Sequence, residues 1–501
     1  MWIAPNTDIK ILSNCPLDNT YEHTIKFTDS YNQQQYFSSL AKFELDEYSY
    51  QRHNKGSIKV AVKMESLFDC NYIMFKNSSF ENKWFYAFIT GINYINNESS
   101  EITYEIDVMQ TWAFDYALQK CFVEREHSST DVIGENTIPE GLELGQYMYV
   151  DLGIDERFSE FNIVVAATFD TTLQAATGGL YGGVYSGICY NVFTNATAVN
   201  SFLTNVTSEN KSGGIVSIFM IPKTFSYPAT DIRPTTYTKT IPKKHDNLGG
   251  YVPHNKKLFT YPFNLLYVSD NMGRTANYRF EFFTPTSNCQ FHLEGVMSCS
   301  PEIQLVPLNY SGVEENINER LVITDFPQCA YNIDTFAAWL AQNKASLTVG
   351  GVTEGIGAAV NLATMNVSGF VSQAERVAGK LAQLYDTKTL PPQNHGKQSS
   401  SINIATGEQG FHFYYAFIRP EYAKIIDGYF DRYGYATHLH KVPNTDVRPF
   451  WCYTKTVGCT ITGEIPSDDI SKICDIFNNG VTFWKYRANM QVGNYNQDNR
   501  V

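Results

Sequence analysis

The chain of 501 residues contains no Cys-x-x-Cys pair, no phosphate-cradling GxxxxGK[ST] loop and no internal repeat of fixed period. Its ten cysteines, at 15, 70, 121, 189, 289, 299, 329, 452, 459 and 474, follow no disulfide-framework spacing. The opening MWIAPNTDIKILSNCPL carries no basic region followed by an apolar stretch, so no Sec leader is expected. The cysteines are therefore expected to be small buried hydrophobes of a protein made in a reducing cytosol. Basic charge is also in short supply. Against 51 Asp and Glu stand only 38 Lys and Arg, a net charge of −13 with a pI near 5.3. That balance argues against gripping nucleic acid, which needs clustered cations to neutralise phosphates; if DNA had to slide past such a protein, repulsion or weak attraction would serve better than a basic lining.

What is present is aromatic and apolar. Hydrophobic residues make up 43% and aromatics 14%, with 33 Tyr and 33 Phe. Such a chain folds, and its aromatics favour strands. Its length calls for about two to four domains. Strands are expected at Ile9–Leu12, Ile58–Lys63, Asn71–Phe75, Lys83–Thr90 and Ile102–Val108. The clearest alternates Ile102, Tyr104, Ile106 and Val108 with Glu101, Glu105 and Asp107. Short apolar runs such as FNIVVAATF and GGIVSIFMIP continue the β pattern to about Gln328. Helical signals come late: a run capped by Asp334, a seam of Phe370, Ala374, Val377, Leu381 and Leu384, a helix from Pro420 to Gly434, and one capped by Ser467 that ends at Gly480. The helix from Pro420 is expected to pack through Tyr422, Ile425, Tyr429, Phe430 and Tyr433. The fold class is mainly β with a few helices (α+β).

Candidate chemistry is sparse. GGVTEGIG at 350–357 lacks the lysine of a nucleotide loop, and Ser186 in GGVYSG is not in a G-x-S-x-G elbow. His438 and His440 could share a strand face and reach Cys452 or Cys459, although the spacing fits no standard zinc motif. The pairs Glu124 with Glu126 and Asp468 with Asp469 are of the kind a glycosidase uses, yet sequence does not show their separation. No catalytic residue, cofactor or metal is assigned.

The stretch Ala345–Ala374, ASLTVGGVTEGIGAAVNLATMNVSGFVSQA, is different, because its only formal charge in thirty residues is Glu354. It approaches the length that crosses a bilayer. Two readings stay open. A buried helix hairpin would use Gly and Ala for close packing, but glycines at 350, 351, 355, 357, 369 and 379 each cost a helix roughly 1 kcal/mol relative to Ala. A membrane-active loop would use the same small residues for packing among several copies, where Asn361, Asn366 and Glu354 could face a wet lumen.

The segment Asn71–Asp115 with FVEREH at Phe122–His127, the opening NTDIKILSNCPLDNTYEHTIKF with Tyr36 and Phe37, the runs 414–444 and 455–484, and the closing GNYNQDN together resemble the tail knob, or distal tail tube, proteins of small short-tailed bacteriophages of Gram-positive hosts. The resemblance implies a non-enzymatic virion protein at the distal end of the tail, assembled as a homohexamer. It implies a tail-tube- and hub-like β-barrel domain built from both termini, and a long hydrophobic loop that plugs the tube and then exits to form a pore in the host cytoplasmic membrane. The expected organisation is 1–115 and 411–501 as the two parts of the tube domain, 116–330 as a β-rich middle, 331–390 as helix, loop and helix, and 391–410 as a linker. Leu347, Val349, Val352, Ile356, Val360, Leu362, Met365, Val367 and Phe370 are the loop's apolar side chains. The implied partners are an upstream tail tube or lower collar protein, the membrane, and viral double-stranded DNA passing without sequence-specific binding. A tail-tip peptidoglycan hydrolase and a receptor-binding adhesin are the competing readings.

Overall fold

The computed structural model describes residues 6–48, 56–168, 180–181, 184–185, 189–209, 211, 214–226, 235–296, 301–311, 320–324, 326, 328–330, 408–488 and 490–501. The run Ala345–Ala374, the segments expected to be helical after Asp334 and through Leu384, the linker before 408 and Ser186 lie outside these residues. Two compact units are present. One comprises Met1–Gly145, Asn247–Thr260 and Arg419–Val501, the other Gln146–Asp246 and Tyr261–Ile418.

In the first unit, a six-stranded antiparallel sheet runs in the order Ala41–Tyr48, Thr7–Ser13, Cys70–Asn77, Trp84–Asn96, Ser99–Ile106 and Ser57–Val60. The alternation read around residue 104 holds as far as Ile106, with Ile102, Tyr104 and Ile106 in the core, but Asp107, expected on the polar face, is buried and caps a short helix that starts at Val108. The helix Ser30–Ser39 is capped by Asp29, whose carboxylate accepts from the Asn32 N–H at 2.8 Å. It drops Phe37 onto Tyr72 and Tyr86, with ring centroids 5.3 and 4.8 Å away.

The termini meet in a second sheet of five strands, ordered His23–Lys26, Val481–Lys485, Trp451–Val457, Cys121–Glu126 and Tyr435–Lys441, whose first pair is parallel. Parallel neighbours cannot be joined by a tight turn, so this pairing requires long-range closure of the chain. The core follows suit. Ile461, Ile473, Ile476, Phe477, Val481 and Phe483 pack in one cluster with side chains from Ile9 to Trp112.

Both late helices form, with two departures from expectation. The helix Ser467–Asn479 is preceded by Pro466 and has no side-chain cap, so Ser467 opens the first turn instead of capping it. Asp468 and Asp469 occupy that turn, where the helix dipole favours negative charge. In the helix Pro420–Tyr433 the buried stripe is Ala423, Ile426, Asp427 and Phe430, while Ile425 is 70% exposed and Tyr422 also faces solvent. The polar Asp427 has displaced the apolar stripe by one position.

The second unit is also antiparallel β. One sheet orders Tyr147–Asp151, Gly410–Ile418, Asn264–Ser269 and Thr275–Tyr278, with Glu156–Arg157 also pairing Gly410 and Phe411. Another orders Cys189–Phe193, Phe161–Ala167, Ile215–Pro222 and Gln328–Ala330, and a third Thr235–Pro242, Asn288–Val296, Glu302–Leu308 and Leu321–Ile323. Phe161–Ala167 is buried at every position, which is why its sequence is apolar apart from Asn162, whose side-chain amide donates to the Ser226 hydroxyl at 2.6 Å. At Gly410, with φ of 151°, an added Cβ would lie 2.1 Å from the Glu156 carbonyl oxygen. Only glycine lets these backbones approach so closely.

Candidate functional site

Among the described residues, a dense polar construction lies in the first unit, where residues 121–145 and 247–260 meet the helix Pro420–Tyr433. Asp427 is 1% exposed, yet its carboxylate is fully engaged. It accepts from the Tyr251 hydroxyl at 2.7 Å, the His254 N–H at 2.7 Å, and the backbone and side-chain N–H groups of Asn255 at 3.0 and 2.8 Å. A buried carboxylate is tolerated only with such a set of donors, and the need to reach them turns the helix so that Asp427 faces inward and Ile425 outward. One turn on, Asp431 accepts from Asn255 at 2.7 Å and contacts His254 Nδ1 at 3.1 Å. Burial raises its carboxyl.

Beside this network, Glu140 binds both the Lys257 ammonium and the Arg125 guanidinium, and accepts the Ala436 N–H at 3.0 Å. Lys257 also donates to the Ile138 carbonyl at 2.8 Å and lies over the Phe430 and Tyr435 rings. Burial, with Arg125 alongside, pushes the Lys257 ammonium down to about 7. Glu140 is the ion-pair partner of Lys257, and removing either one would leave an uncompensated buried charge. His127 completes the construction. Its Nδ1 accepts the Tyr453 N–H at 2.7 Å and its Nε2 stands 3.2 Å from the Asp431 carbonyl, so the Nε2–H tautomer satisfies both. Burial and the Arg448 charge push the imidazole down to about 3. These groups lock segments together; none is a nucleophile held beside a free base.

The residues singled out from sequence are placed as follows. Leu347, Val349, Val352, Ile356, Val360, Leu362, Met365, Val367 and Phe370 lie outside the described residues. His438 and His440 are exposed; His438, inside the register shift between Ala436 and Leu439 and with φ of 48°, stacks on Phe122 at 5.8 Å, while His440 lies in register opposite Phe122. Cys452 instead points into the core and donates its thiol to the Asn444 carbonyl, so histidines and thiol are not brought together. Among the described residues no group of three His, Cys, Asp or Glu is arranged for a metal ion. Glu124 pairs with Lys455 at 2.9 Å, whereas Glu126 is buried and accepts from Asn444 at 2.8 and 2.9 Å. Asp469 accepts the Trp112 indole N–H at 2.8 Å, while Asp468 sits exposed in the first helical turn. All four are structural or surface carboxylates in this arrangement. Burial pushes the thiols of Cys15, Cys289 and Cys459 up to about 12 and those of Cys70 and Cys452 to about 11, which keeps them protonated and unreactive. No described helix is long and apolar enough to cross a membrane.

Sequence reasoning missed Glu140, Lys257, Asp427 and His127. The available signal was weak: Asp427 and Asp431 at helical spacing on the face that carries Phe430.

Residues 5–117 match the profile of the caudoviral major tail protein N-terminus. Residues 228–500, more than half the chain, match that of the C-terminal domain of the tail knob protein gp9 of Bacillus phage phi29. The chain belongs to the tail knob protein gp9 family. Tail knob protein gp9 of Bacillus phage PZA and that of phi29 are each 25% identical to it over 598 aligned positions, covering 99% of this chain and 98% of the relative. That of Bacillus phage B103 is 26% identical over 594 positions. Among solved structures, the bacteriophage C1 tail knob protein gp12 superposes with a TM-score of 0.58 at 14% identity, covering 98% of this chain and 99% of that one. The mainly β fold is thus that of a tail knob protein. As a member of the family, the chain is a structural component of the virion tail.

Proposed function

We propose that six copies of the chain form the hollow distal tube of a short-tailed phage, closed before infection by the segment Leu347–Phe370 of each copy. On contact with the host these segments leave the lumen and form a pore in the cytoplasmic membrane through which viral DNA passes. The chain is made in the host cytoplasm, carries out no catalysis, and joins an upstream tail tube or lower collar protein.

The observation that carries this reading is the thirty-residue run with Glu354 as its single charge, set between the strands Gln328–Ala330 and Gly410–Ile418 in a chain whose relatives are tail knob proteins. Apolar side chains such as Leu347, Val349, Val352, Ile356, Val360, Leu362, Met365, Val367 and Phe370 stay in water only if copies bury one another, and a tube gives six loops a shared interior. In lipid, several copies satisfy their backbone polar groups by helix formation or closed strand pairing. The net charge of −13 suits a conduit in which phosphates must not stick.

Dye release from liposomes tests the pore, comparing full-length protein with a form lacking Val349–Phe370 at neutral and mildly acidic pH. The full-length protein is expected to leak dye and the deleted form to remain assembled without leaking. No leakage by the full-length protein at either pH would remove the pore from the proposal. Electron microscopy addresses the tube separately: rings or cylinders are expected, and isolated monomers would contradict it.

A further inference from the structure

The second unit's sheet of Tyr147–Asp151, Gly410–Ile418, Asn264–Ser269 and Thr275–Tyr278 carries a row of tyrosines on one face. Across four strands the register aligns Asp151, Tyr414, Tyr267 and Asn277, and the adjacent row aligns Tyr149, Ala416 and Leu265. Side chains in register share a face, so Tyr149, Tyr267 and Tyr414 stand together, with Tyr147 two residues along the strand from Tyr149. The small Ala416 between them leaves room for Tyr149 and Tyr267 to meet at 5.2 Å between centroids, edge to face, and Tyr267 meets Tyr414 at 6.0 Å. Tyr147 and Tyr149 are 6.4 Å apart. Tyr149 is 57% exposed, and Tyr267 and Tyr414 are half-buried. The Tyr147 hydroxyl is tied to the Pro262 carbonyl at 2.6 Å, which fixes that end of the row.

The rim is polar and acidic. Asp151, Thr275 and Asn277 are exposed along it, and the carboxylates of Asp151, Asp155 and Glu408 all bear on Tyr414. Arg157, the cation beside Tyr414, is already engaged, with Asp155 at 2.6 and 2.9 Å and with Glu408 at 2.9 Å. A phosphate-rich polymer therefore meets net negative charge here, and DNA is disfavoured for the same reason.

We propose that this face is a docking platform for a strand of neutral sugar rings. The faces of a pyranose ring present C–H groups that pack on tyrosine rings, while its hydroxyls need both acceptors and donors. Asp151 supplies acceptors, and Asn277, Thr275 and the phenolic hydroxyls supply both. Aromatics flanked by short polar side chains give large contact area at low entropic cost, and the carboxylate rim selects uncharged polysaccharide over anionic polymer. The platform is independent of the tube and pore.

Calorimetry on the full-length protein tests it, with an N-acetylglucosamine hexamer, a glucose hexamer and poly(glycerol phosphate) as probes. At least one neutral hexamer is expected to bind and the polyanion is not. Tyr149→Ala and Tyr267→Ala should each weaken binding roughly tenfold, while Tyr149→Phe, which keeps the ring, should retain most of it. Asn277→Ala removes a hydrogen-bonding group without touching the packing and should also weaken binding, which guards against misfolding of the tyrosine variants. Failure of both neutral hexamers to bind overturns the platform, as does binding unchanged by Tyr149→Ala and Tyr267→Ala. Loss of self-association on Tyr149→Ala with no change in sugar binding would overturn it in favour of a second copy covering this face.

Discussion

At the scale of the residue, the first unit is held by charged and polar groups kept from water, and this makes its stability depend on pH in a definite direction. His127 has its imidazole pushed down from 6.5 to about 3 by burial and the Arg448 charge. The native state therefore refuses a proton that the unfolded chain accepts. Its contribution is fully present above pH 6.5 and falls as pH drops from 6.5 to 3, by up to about 1.4 kcal/mol per pH unit. Asp107 acts with the opposite sign. Burial raises its carboxyl to about 6 although it accepts from the Tyr72 hydroxyl at 2.8 Å and two backbone N–H groups, so its contribution is present below 3.8 and lost as pH rises through 6. Between pH 4 and 6 the two partly cancel. The His127→Gln variant separates them: urea unfolding followed by tryptophan fluorescence should show a shallower acid loss than the unsubstituted protein. Parallel stability curves for the two proteins below pH 6.5 would refute this assignment.

At the scale of the element, the features legible in the sequence were those set by local rules. Alternation around Tyr104 marked a half-buried strand, and Gly434 and Gly480 marked the ends of the last two helices. The inward turn of the Pro420–Tyr433 helix was not legible, because Asp427 looks like a surface carboxylate until Tyr251, His254 and Asn255 arrive from far upstream. The same holds for Glu140, whose partners Arg125, Lys257 and Ala436 come from three separate segments. Gly434 joins the local and the distant requirements. Its φ is 64°, its N–H closes the helix onto the Phe430 carbonyl at 2.9 Å, and an added Cβ would lie 2.1 Å from the Glu126 carbonyl oxygen. Substitution Gly434→Ala should therefore cost at least about 1–3 kcal/mol through backbone strain alone, with more from the clash against the Cys121–Glu126 strand. Thermal unfolding measures this, and a melting temperature within a degree of the original would contradict it.

At the scale of the whole molecule, segments from near both ends of the chain meet in the first unit, where His23–Lys26 pairs in parallel with Val481–Lys485. The nine apolar side chains from Leu347 to Phe370 lie outside the described residues, and the sequence carries them only as composition, since nothing in periodicity or spacing says where they go. The tail-protein profile matched by 5–117 describes only part of a folding unit, because Ile461, Ile473, Ile476, Phe477, Val481 and Phe483 belong to the same buried cluster as the N-terminal strands. At roughly 1.5–3 kcal/mol for each fully buried large apolar side chain, their contribution is on the order of 10 kcal/mol. That equals the typical net stability of a domain, about 5–15 kcal/mol. A fragment spanning 1–117 is thus expected to lack a cooperative thermal transition and to bind hydrophobic dye. Supplying 419–501 as a separate chain should restore part of the fold by covering the exposed face and re-forming the parallel pair. A sharp melting transition and a dispersed amide spectrum from 1–117 alone would show instead that the N-terminal sheet folds independently and that the C-terminal helix and strand only dock onto it.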